Sequence, residues 1–345
     1  MQVVRSLSEV LSQTRYDTIA IDIYGVLHDG IQTYPHSSDC LQGLSKAGIH
    51  TVLLSNSTRL QDMLDADLKK KFDIDSDSYT EVLSSGGMTK LFLQGVANHL
   101  CSRHDGETDC PATIRRKGLE ETIDARSFTE QYLKTGQFFL LGDPSWQMPL
   151  YEHLAPTITR TSQWDEMEFV LLGKVCTAEG EEENNMDPCD EESVKAYYSQ
   201  FLQYCLDRKI PIICANPDVE APHGCHPDGT QRLICCPGYV GQMYEAIGGE
   251  VLYFGKPFSS IYNYLLAKTA SPKGSGRVLC IGDNLATDVM GARRTGLDVV
   301  MILGGVHWKE LETAKDEEWV DKVRQLCKQY GSDEPTYLMP LLRYQ

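Results

Sequence analysis

Short apolar runs of strand length alternate along the chain with stretches whose apolar positions recur at helical spacing. The apolar runs cover residues 17–23, 50–54, 138–141, 169–172, 211–215, 250–254, 277–281 and 298–303. Most of them are near-continuous in Val, Ile, Leu and Phe, as strands covered on both faces require. Strands of this kind with helices between them predict an α/β fold built on a mostly parallel, doubly wound sheet.

Helical patterns fill the intervals between these strands. Residues 191–207 and 285–294 are two examples, and Gly248 and Gly296 stand where the C-terminus of a helix favours glycine. The stretch 179–192 breaks the alternation, because it holds eight acidic residues and no basic one. Like charges repel and stay solvated, so we predict a loop there, with a docking site for a basic partner as the alternative.

Composition narrows the class of protein. The 345 residues correspond to about two domains of ordinary size. A formal net charge of −17 argues against nucleic-acid binding through bulk charge. There is no apolar run long enough to span a membrane and no signal-peptide pattern at residues 1–12. We therefore expect a cytoplasmic protein with no nucleic-acid or membrane partner, and a homodimer is compatible with these features.

The twelve cysteines contain no C-x-x-C pair, and we interpret them as reduced thiols that are mostly buried. The densest group fits no structural zinc pattern, so a zinc site there is the less favoured alternative to buried thiols. Its members are Cys214, Cys225, His226, Cys235 and Cys236.

Four predicted strand ends carry polar residues, and ligands of open α/β sheets bind at the carboxyl ends of strands. The residues are Asp22 with Tyr24, Ser55 with Asn56, Lys256, and Asp283 with Asp288. Carboxylates alone repel a phosphate, but carboxylates that share Mg²⁺ do not. The lysine offers a charge to phosphate, the serine offers a hydrogen bond, and one carboxylate remains to attack phosphorus. The set predicts a magnesium-dependent site for phosphoryl transfer.

These four segments resemble the four motifs of the haloacid dehalogenase (HAD) superfamily. They are Ile21-Asp-Ile-Tyr-Gly-Val-Leu-His-Asp-Gly30, Leu53-Leu-Ser-Asn-Ser-Thr-Arg59, Gly255-Lys-Pro257 and Gly282-Asp-Asn-Leu-Ala-Thr-Asp288. The resemblance implies that Asp22 is the nucleophile and that Ser55 and Lys256 bind the phosphoryl group. It also implies a Mg²⁺ ion held by Asp22, the carbonyl of Tyr24 and Asp283, with Asp288 close by. Asn56 is expected to orient the nucleophile or to contact the substrate.

A long insertion separates the second and third motifs. Ser85-Gly-Gly87 and Ala215-Asn-Pro-Asp218 resemble class IIA of the superfamily, whose members carry a large α/β cap. This resemblance implies a core of residues 1–86 and 237–345 and an inserted cap of residues 87–236, which chooses the substrate and contains the acidic stretch 179–192. Asp218 either caps a turn or faces the active site.

Tyr24 is the main departure from the family pattern. Phosphatases of the superfamily usually carry Asp two residues after the nucleophile, and its carboxylate protonates the leaving group and then activates water. Such help is worth about 10²–10⁴ in rate, and a phenol is a poor base at neutral pH. Tyr24 either only packs against the cap or substrate, or it acts as a substitute acid or as a ring that stacks on the substrate. His28 and Asp29 either supply the missing acid–base function or only shape the turn.

The resemblance therefore implies a Mg²⁺-dependent phosphatase that acts on a small phosphorylated metabolite through an aspartyl-phosphate at Asp22. The alternative is a catalytically impaired HAD-like protein that binds a phosphorylated ligand without efficient turnover. A dehalogenase attacks carbon and needs no metal, so the pair Asp283 and Asp288 argues against that activity.

Overall fold

A computed structural model describes residues 1–101, 110–116, 119–177, 185–225, 231–269 and 276–345. Residues 179–184 of the acidic stretch and His226 of the cysteine-rich group lie outside the described residues. In the described part of the chain, none of the helices combines the length and the apolar character that crossing a membrane requires.

The described strands include one at each apolar run of the sequence and others that the pattern did not predict. They are β1 (Gln2–Val3), β2 (Thr18–Asp22), β3 (His50–Ser55), β4 (Glu81–Ser84), β5 (Ala112–Arg116), β6 (Leu119–Ile123), β7 (Gln137–Leu141), β8 (Thr159–Thr161), β9 (Phe169–Leu172), β10 (Ile212–Cys214), β11 (Glu220–Cys225), β12 (Gln231–Cys235), β13 (Val251–Tyr253), β14 (Val278–Gly282), β15 (Asp298–Ile302) and β16 (Tyr337–Met339). Each of the predicted runs coincides with one of these strands to within one residue at either end, so their positions are confirmed.

The α-helices lie between the strands. They are α1 (Leu7–Gln13), α2 (Ser37–Lys46), α3 (Gln61–Phe72), α4 (Ser85–Leu100), α5 (Ala125–Tyr132), α6 (Pro144–Tyr151), α7 (Glu191–Arg208), α8 (Pro237–Ala246), α9 (Ser259–Thr269), α10 (Met290–Arg294), α11 (Trp308–Leu311) and α12 (Trp319–Tyr330). The helix predicted over 191–207 is confirmed as α7. Gly248 and Gly296 follow α8 and α10 with φ of 99° and 75°, as the cap pattern predicts.

The helix predicted over 285–294 begins differently. Its first part, Leu285–Val289, is a π-helical turn, and α10 follows it. The amide of Val289 donates to the carbonyl of Asn284 at 3.1 Å, which spans five residues rather than four. Such widened turns are frequent at functional sites.

The chain divides into two compact units. The first comprises Met1–Ser55, Gln61–Ser84 and Ile261–Gln345, and the second comprises Asn56–Leu60 and Ser85–Ser260.

The first unit is built on a parallel sheet with the strand order β1-β16-β15-β14-β2-β3-β4. Every residue of β14 is buried, as a strand covered on both faces must be. The central position of β14, between β15 and β2, brings the ends of these three strands to one edge of the sheet. This arrangement confirms the predicted doubly wound α/β fold.

The second unit has a sheet of its own, with the order β6-β5-β13-β10-β9-β7-β8, and the hairpin β11-β12. The core that the family resemblance implies, residues 1–86 and 237–345, includes the apolar run 250–254. Its strand β13 instead pairs in parallel with β10 and antiparallel with β5, so the second unit extends to Ser260. An apolar run looks the same in either sheet, which is why the sequence pattern could not assign it.

Candidate active site

Three carboxylates meet at the carboxyl edge of the sheet in the first unit. Asp22 is the last residue of β2, Asp283 directly follows β14, and Asp288 lies in the π-helical turn. One ligand oxygen of each lies within 4.8 Å of the others, and Asp283 and Asp288 are buried. The strand-end pattern of the sequence thus identified side chains that the fold brings together.

Two glycines make room for these carboxylates. Gly25 has a φ of 82°, and a Cβ atom there would overlap the Asp283 carboxylate. A Cβ atom on Gly282 would overlap the carboxylate of Asp288. Glycine is therefore required at both positions for the backbone to approach the acids this closely.

Backbone amides hold two of the acids in place. The amide of Val306 donates to Asp283 Oδ2 at 2.6 Å, and the amide of Asn284 donates to Asp288 Oδ2 at 3.1 Å. At 4.8 Å and an effective dielectric constant of about 20, two carboxylates still repel by roughly 3 kcal/mol. A divalent cation removes this repulsion, and an all-oxygen carboxylate set suits Mg²⁺ or Ca²⁺. The residues present therefore fit a hard divalent ion.

Ser55 lies at the same edge of the sheet. It is the buried last residue of β3, which pairs in parallel with β2 so that Leu54 stands opposite Asp22. Its position one residue beyond this pair puts a hydroxyl at the strand end next to the nucleophile candidate.

Tyr24 follows β2 and remains 43% exposed. Partial burial raises the pKa of its phenol, and the charges of Asp29 and Asp283 raise it further. The phenol therefore keeps its proton at neutral pH. It can donate that proton but cannot act as a base.

His28 and Asp29 are both used in shaping the turn after Tyr24. His28 is buried, stacks on Phe72 with ring centroids 3.7 Å apart, and accepts the amide of Gly30 at Nδ1. Asp29 Oδ1 accepts the amides of Ile31 and Gln32 at 2.8 and 2.7 Å. These contacts favour the structural role for both residues over acid–base chemistry.

Burial of His28 couples the stability of the fold to pH. It lowers the pKa of His28 from 6.5 to about 4, so between these values the unfolded chain binds more protons than the folded chain. The stabilisation of the folded state that comes from this pKa difference is complete above pH 6.5 and is lost as the pH falls towards 4. By pH 5 we expect the wild type to lose about 2 kcal/mol relative to a His28→Asn variant, which does not titrate there. Urea unfolding of both proteins at about pH 7.5 and about pH 5 measures this difference, and a pH-independent difference would contradict it.

Asn56, Asp218 and Lys256 come together in the second unit. Asn56 Oδ1 accepts the amide of Lys256 at 2.7 Å, and its Nδ2 donates to the Lys256 carbonyl at 2.9 Å and to Asp218 Oδ1 at 2.7 Å. Asn56 and Lys256 are both buried. The side chain of Asn56 thus fixes the backbone of Lys256, while Asp218 fixes Asn56.

Two family models match the chain. A model described as haloacid dehalogenase-like hydrolase matches residues 19–128, and one described as HAD-hydrolase-like matches residues 253–326. Together they span more than half of the chain and include the three converging carboxylates. The chain belongs to the haloacid dehalogenase-like hydrolases. Among curated proteins, none matches it.

Solved structures share the fold over nearly the whole chain. A haloacid dehalogenase-like hydrolase from Brucella suis 1330 is 25% identical, with a TM-score of 0.65, and the match covers 99% of this chain and 100% of that one. A possible sugar phosphatase from Cytophaga hutchinsonii is 19% identical, with a TM-score of 0.64 and coverage of 99% and 98%. A p-nitrophenyl phosphatase from Archaeoglobus fulgidus is 18% identical, with a TM-score of 0.56 and coverage of 94% and 96%.

The segment after β15 in this HAD-like chain binds the loop that carries Asp283 and Asp288. The sequence pattern did not single out this segment. Besides the Val306 amide on Asp283, the buried His307 accepts the amide of Leu285 at Nε2, at 3.2 Å. Nε2 therefore carries no proton, and the neutral ring has its proton on Nδ1, which lies 3.6 Å from a Glu310 carboxylate oxygen. β15 neighbours β14, so residues following β15 could have been found by the same strand-end rule.

We expect His307 to position the loop that joins Asp283 to Asp288. In His307→Ala the buried amide of Leu285 loses its acceptor, and we expect Mg²⁺ affinity to fall about 10-fold, as for other residues that orient metal ligands. His307→Gln, whose amide oxygen can accept the same N–H, should recover most of the affinity. Calorimetric titration with Mg²⁺ measures both, and equal affinity in wild type and His307→Ala would contradict the assignment.

Proposed function

We propose that this HAD-like hydrolase is a Mg²⁺-dependent phosphatase that acts on a small phosphorylated metabolite in the cytoplasm. The observation that carries the proposal is the convergence of Asp22, Asp283 and Asp288 within 4.8 Å. The protein described as a possible sugar phosphatase and the p-nitrophenyl phosphatase, both of similar fold, support a phosphomonoester as the substrate class. The second unit, with its separate α/β sheet, would act as the cap that selects the substrate.

Asp22 would be the nucleophile. One of its carboxylate oxygens attacks phosphorus, and the bond from phosphorus to the leaving oxygen breaks with its electron pair on that oxygen. Water then attacks the phosphorus of the aspartyl-phosphate, which releases inorganic phosphate and restores the Asp22 carboxylate. The proton that this water gives up balances the proton that the leaving oxygen takes up as it becomes an alcohol. The net reaction consumes one water molecule for each phosphoester bond.

The other residues would bind and orient the phosphoryl group. Asp22, Asp283, Asp288 and the carbonyl of Tyr24 would hold Mg²⁺, which when bound offsets the negative charge of the acids and the phosphoryl oxygens. Ser55 would donate a hydrogen bond to a phosphoryl oxygen, and Lys256 would supply a positive charge. Asn56 would act by holding the backbone of Lys256, since its amide already binds there.

A second candidate function is a binder of phosphorylated ligands with little turnover. The observation that favours it is Tyr24 at the position of the usual acid, with a phenol whose raised pKa excludes action as a base. The residues that bind metal and phosphate serve both functions, so only rates distinguish them.

The test is phosphate release from p-nitrophenyl phosphate. With Mg²⁺ we expect steady turnover, and with EDTA in excess we expect it to stop and to return when Mg²⁺ is restored. Turnover that survives EDTA would contradict the metal-dependent function. Absence of turnover under all conditions, with retained Mg²⁺ binding by calorimetry, would support the binder.

A further inference from the structure

The exposed apolar residues of the first unit lie in two chain segments, and the backbone of each segment reaches Asp283. Among its described residues, the large hydrophobic side chains that remain exposed are Tyr24 at 43%, Ile31 at 89%, Val306 at 46% and Trp308 at 49%. All four lie in the two segments that follow β2 and β15. We call these four residues the apolar rim.

Both segments border Asp283. The amide of Val306 donates to its carboxylate, and Gly25, next to Tyr24, abuts the same group. The Tyr24 ring also lies close to Gly30, where an added Cβ atom would be 3.0 Å from it, and Ile31 follows directly. The strand order explains why both segments reach Asp283, because β14, which Asp283 follows, lies between β2 and β15.

Exposed apolar residues grouped beside a charged site indicate a binding surface, whereas single ones do not. We propose that the apolar rim is a subsite for an aryl or similarly apolar leaving group of the substrate. This inference rests on the proposed function, because a phosphoryl group at Asp22 leaves the remainder of the ester to lie against the residues around the acids. Val306, Ile31 and the body of Trp308 offer contact area rather than hydrogen bonds to an occupant, which disfavours a polyhydroxylated sugar there.

The chemistry of the leaving group also favours an aryl ester. An aryl oxygen departs as a weaker base than an alkyl oxygen and so depends less on a proton from the enzyme. Tyr24 replaces the carboxylic acid that usually provides that proton. An apolar aryl ester therefore suits both the rim and the altered acid position.

The test compares 2-naphthyl phosphate, which has a large apolar leaving group, with acetyl phosphate, which has a small one. We expect Trp308→Ala to lower kcat/KM for the naphthyl ester about 10-fold, mainly through KM, and to leave acetyl phosphate within about 2-fold. Ile31→Ser, at a highly exposed turn position, should act in the same direction with little risk to folding. Trp319→Ala is the matched control, since Trp319 lies in α12, outside the two segments of the rim, with its ring under the guanidinium of Arg5.

An equal loss on both substrates, or no loss on either, would overturn the subsite while leaving the phosphatase function intact. If the wild type turns over neither substrate, the proposed phosphatase function is wrong, and the subsite is then tested by ligand binding alone. Calorimetry with Mg²⁺ should then show tighter binding of benzylphosphonate than of methylphosphonate, and Trp308→Ala should remove that preference. Equal affinities in the wild type would overturn the proposal.

Discussion

Asp22→Asn is expected to reduce Mg²⁺-dependent phosphate release by on the order of 10⁴-fold or more, because removal of a nucleophile abolishes the covalent route. The carboxamide has nearly the same shape as the carboxylate, so the strand end after β2 should keep its packing. The measurement is kcat/KM for p-nitrophenyl phosphate, compared with the wild type at saturating Mg²⁺.

Asp39→Asn is a suitable control for this variant. Asp39 is an exposed residue in the first turn of α2, outside the converging carboxylates. The same change of charge there should leave kcat/KM within about 2-fold, since surface substitutions of this kind usually have small effects. If Asp22→Asn retained a tenth or more of the wild-type rate, Asp22 would not be the nucleophile.

The meeting of Asp22, Asp283 and Asp288 could be predicted from the order of strands and helices along the chain, not from the residues next to each acid. Parallel strands end at the same edge of a sheet, so polar residues after apolar runs become neighbours even when they are far apart in the sequence. Asp22 and Asp283 obey this rule, and Asp288 joins them because the π-helical turn keeps it beside Gly282.

Other features depend on pairings that the sequence does not display. The apolar run of β13 could belong to either sheet, and only its pairing with β10 and β5 assigns it. The hydrogen bonds of Asn56 to Lys256 depend on that assignment. The sequence therefore predicts that Asn56 orients the nucleophile or contacts the substrate, but it does not predict the bonds to the Lys256 backbone. The role of His307 required knowing that β15 lies next to β14.

Tyr24→Asp is expected to raise kcat/KM for alkyl phosphates such as glycerol phosphate by about 10²–10⁴-fold, the usual worth of a general acid and base. The half-exposed ring of Tyr24 contributes no base, because its pKa is raised by burial and by Asp29 and Asp283. For p-nitrophenyl phosphate the gain should be much smaller, since this leaving group needs little protonation. The wild type should accordingly prefer the aryl ester.

The interpretation of this variant depends on two comparisons. Tyr24→Phe keeps the ring and removes the proton, so unchanged rates would assign Tyr24 to packing and a fall on alkyl phosphates alone would assign it to proton donation. Equal wild-type rates on alkyl and aryl phosphates would show that the missing carboxylate does not limit the reaction. An inactive wild type beside an active Tyr24→Asp would instead show an intact metal and phosphate site that lacks only its acid–base group, because a single carboxylate cannot create activity where the nucleophile and metal ligands are out of place.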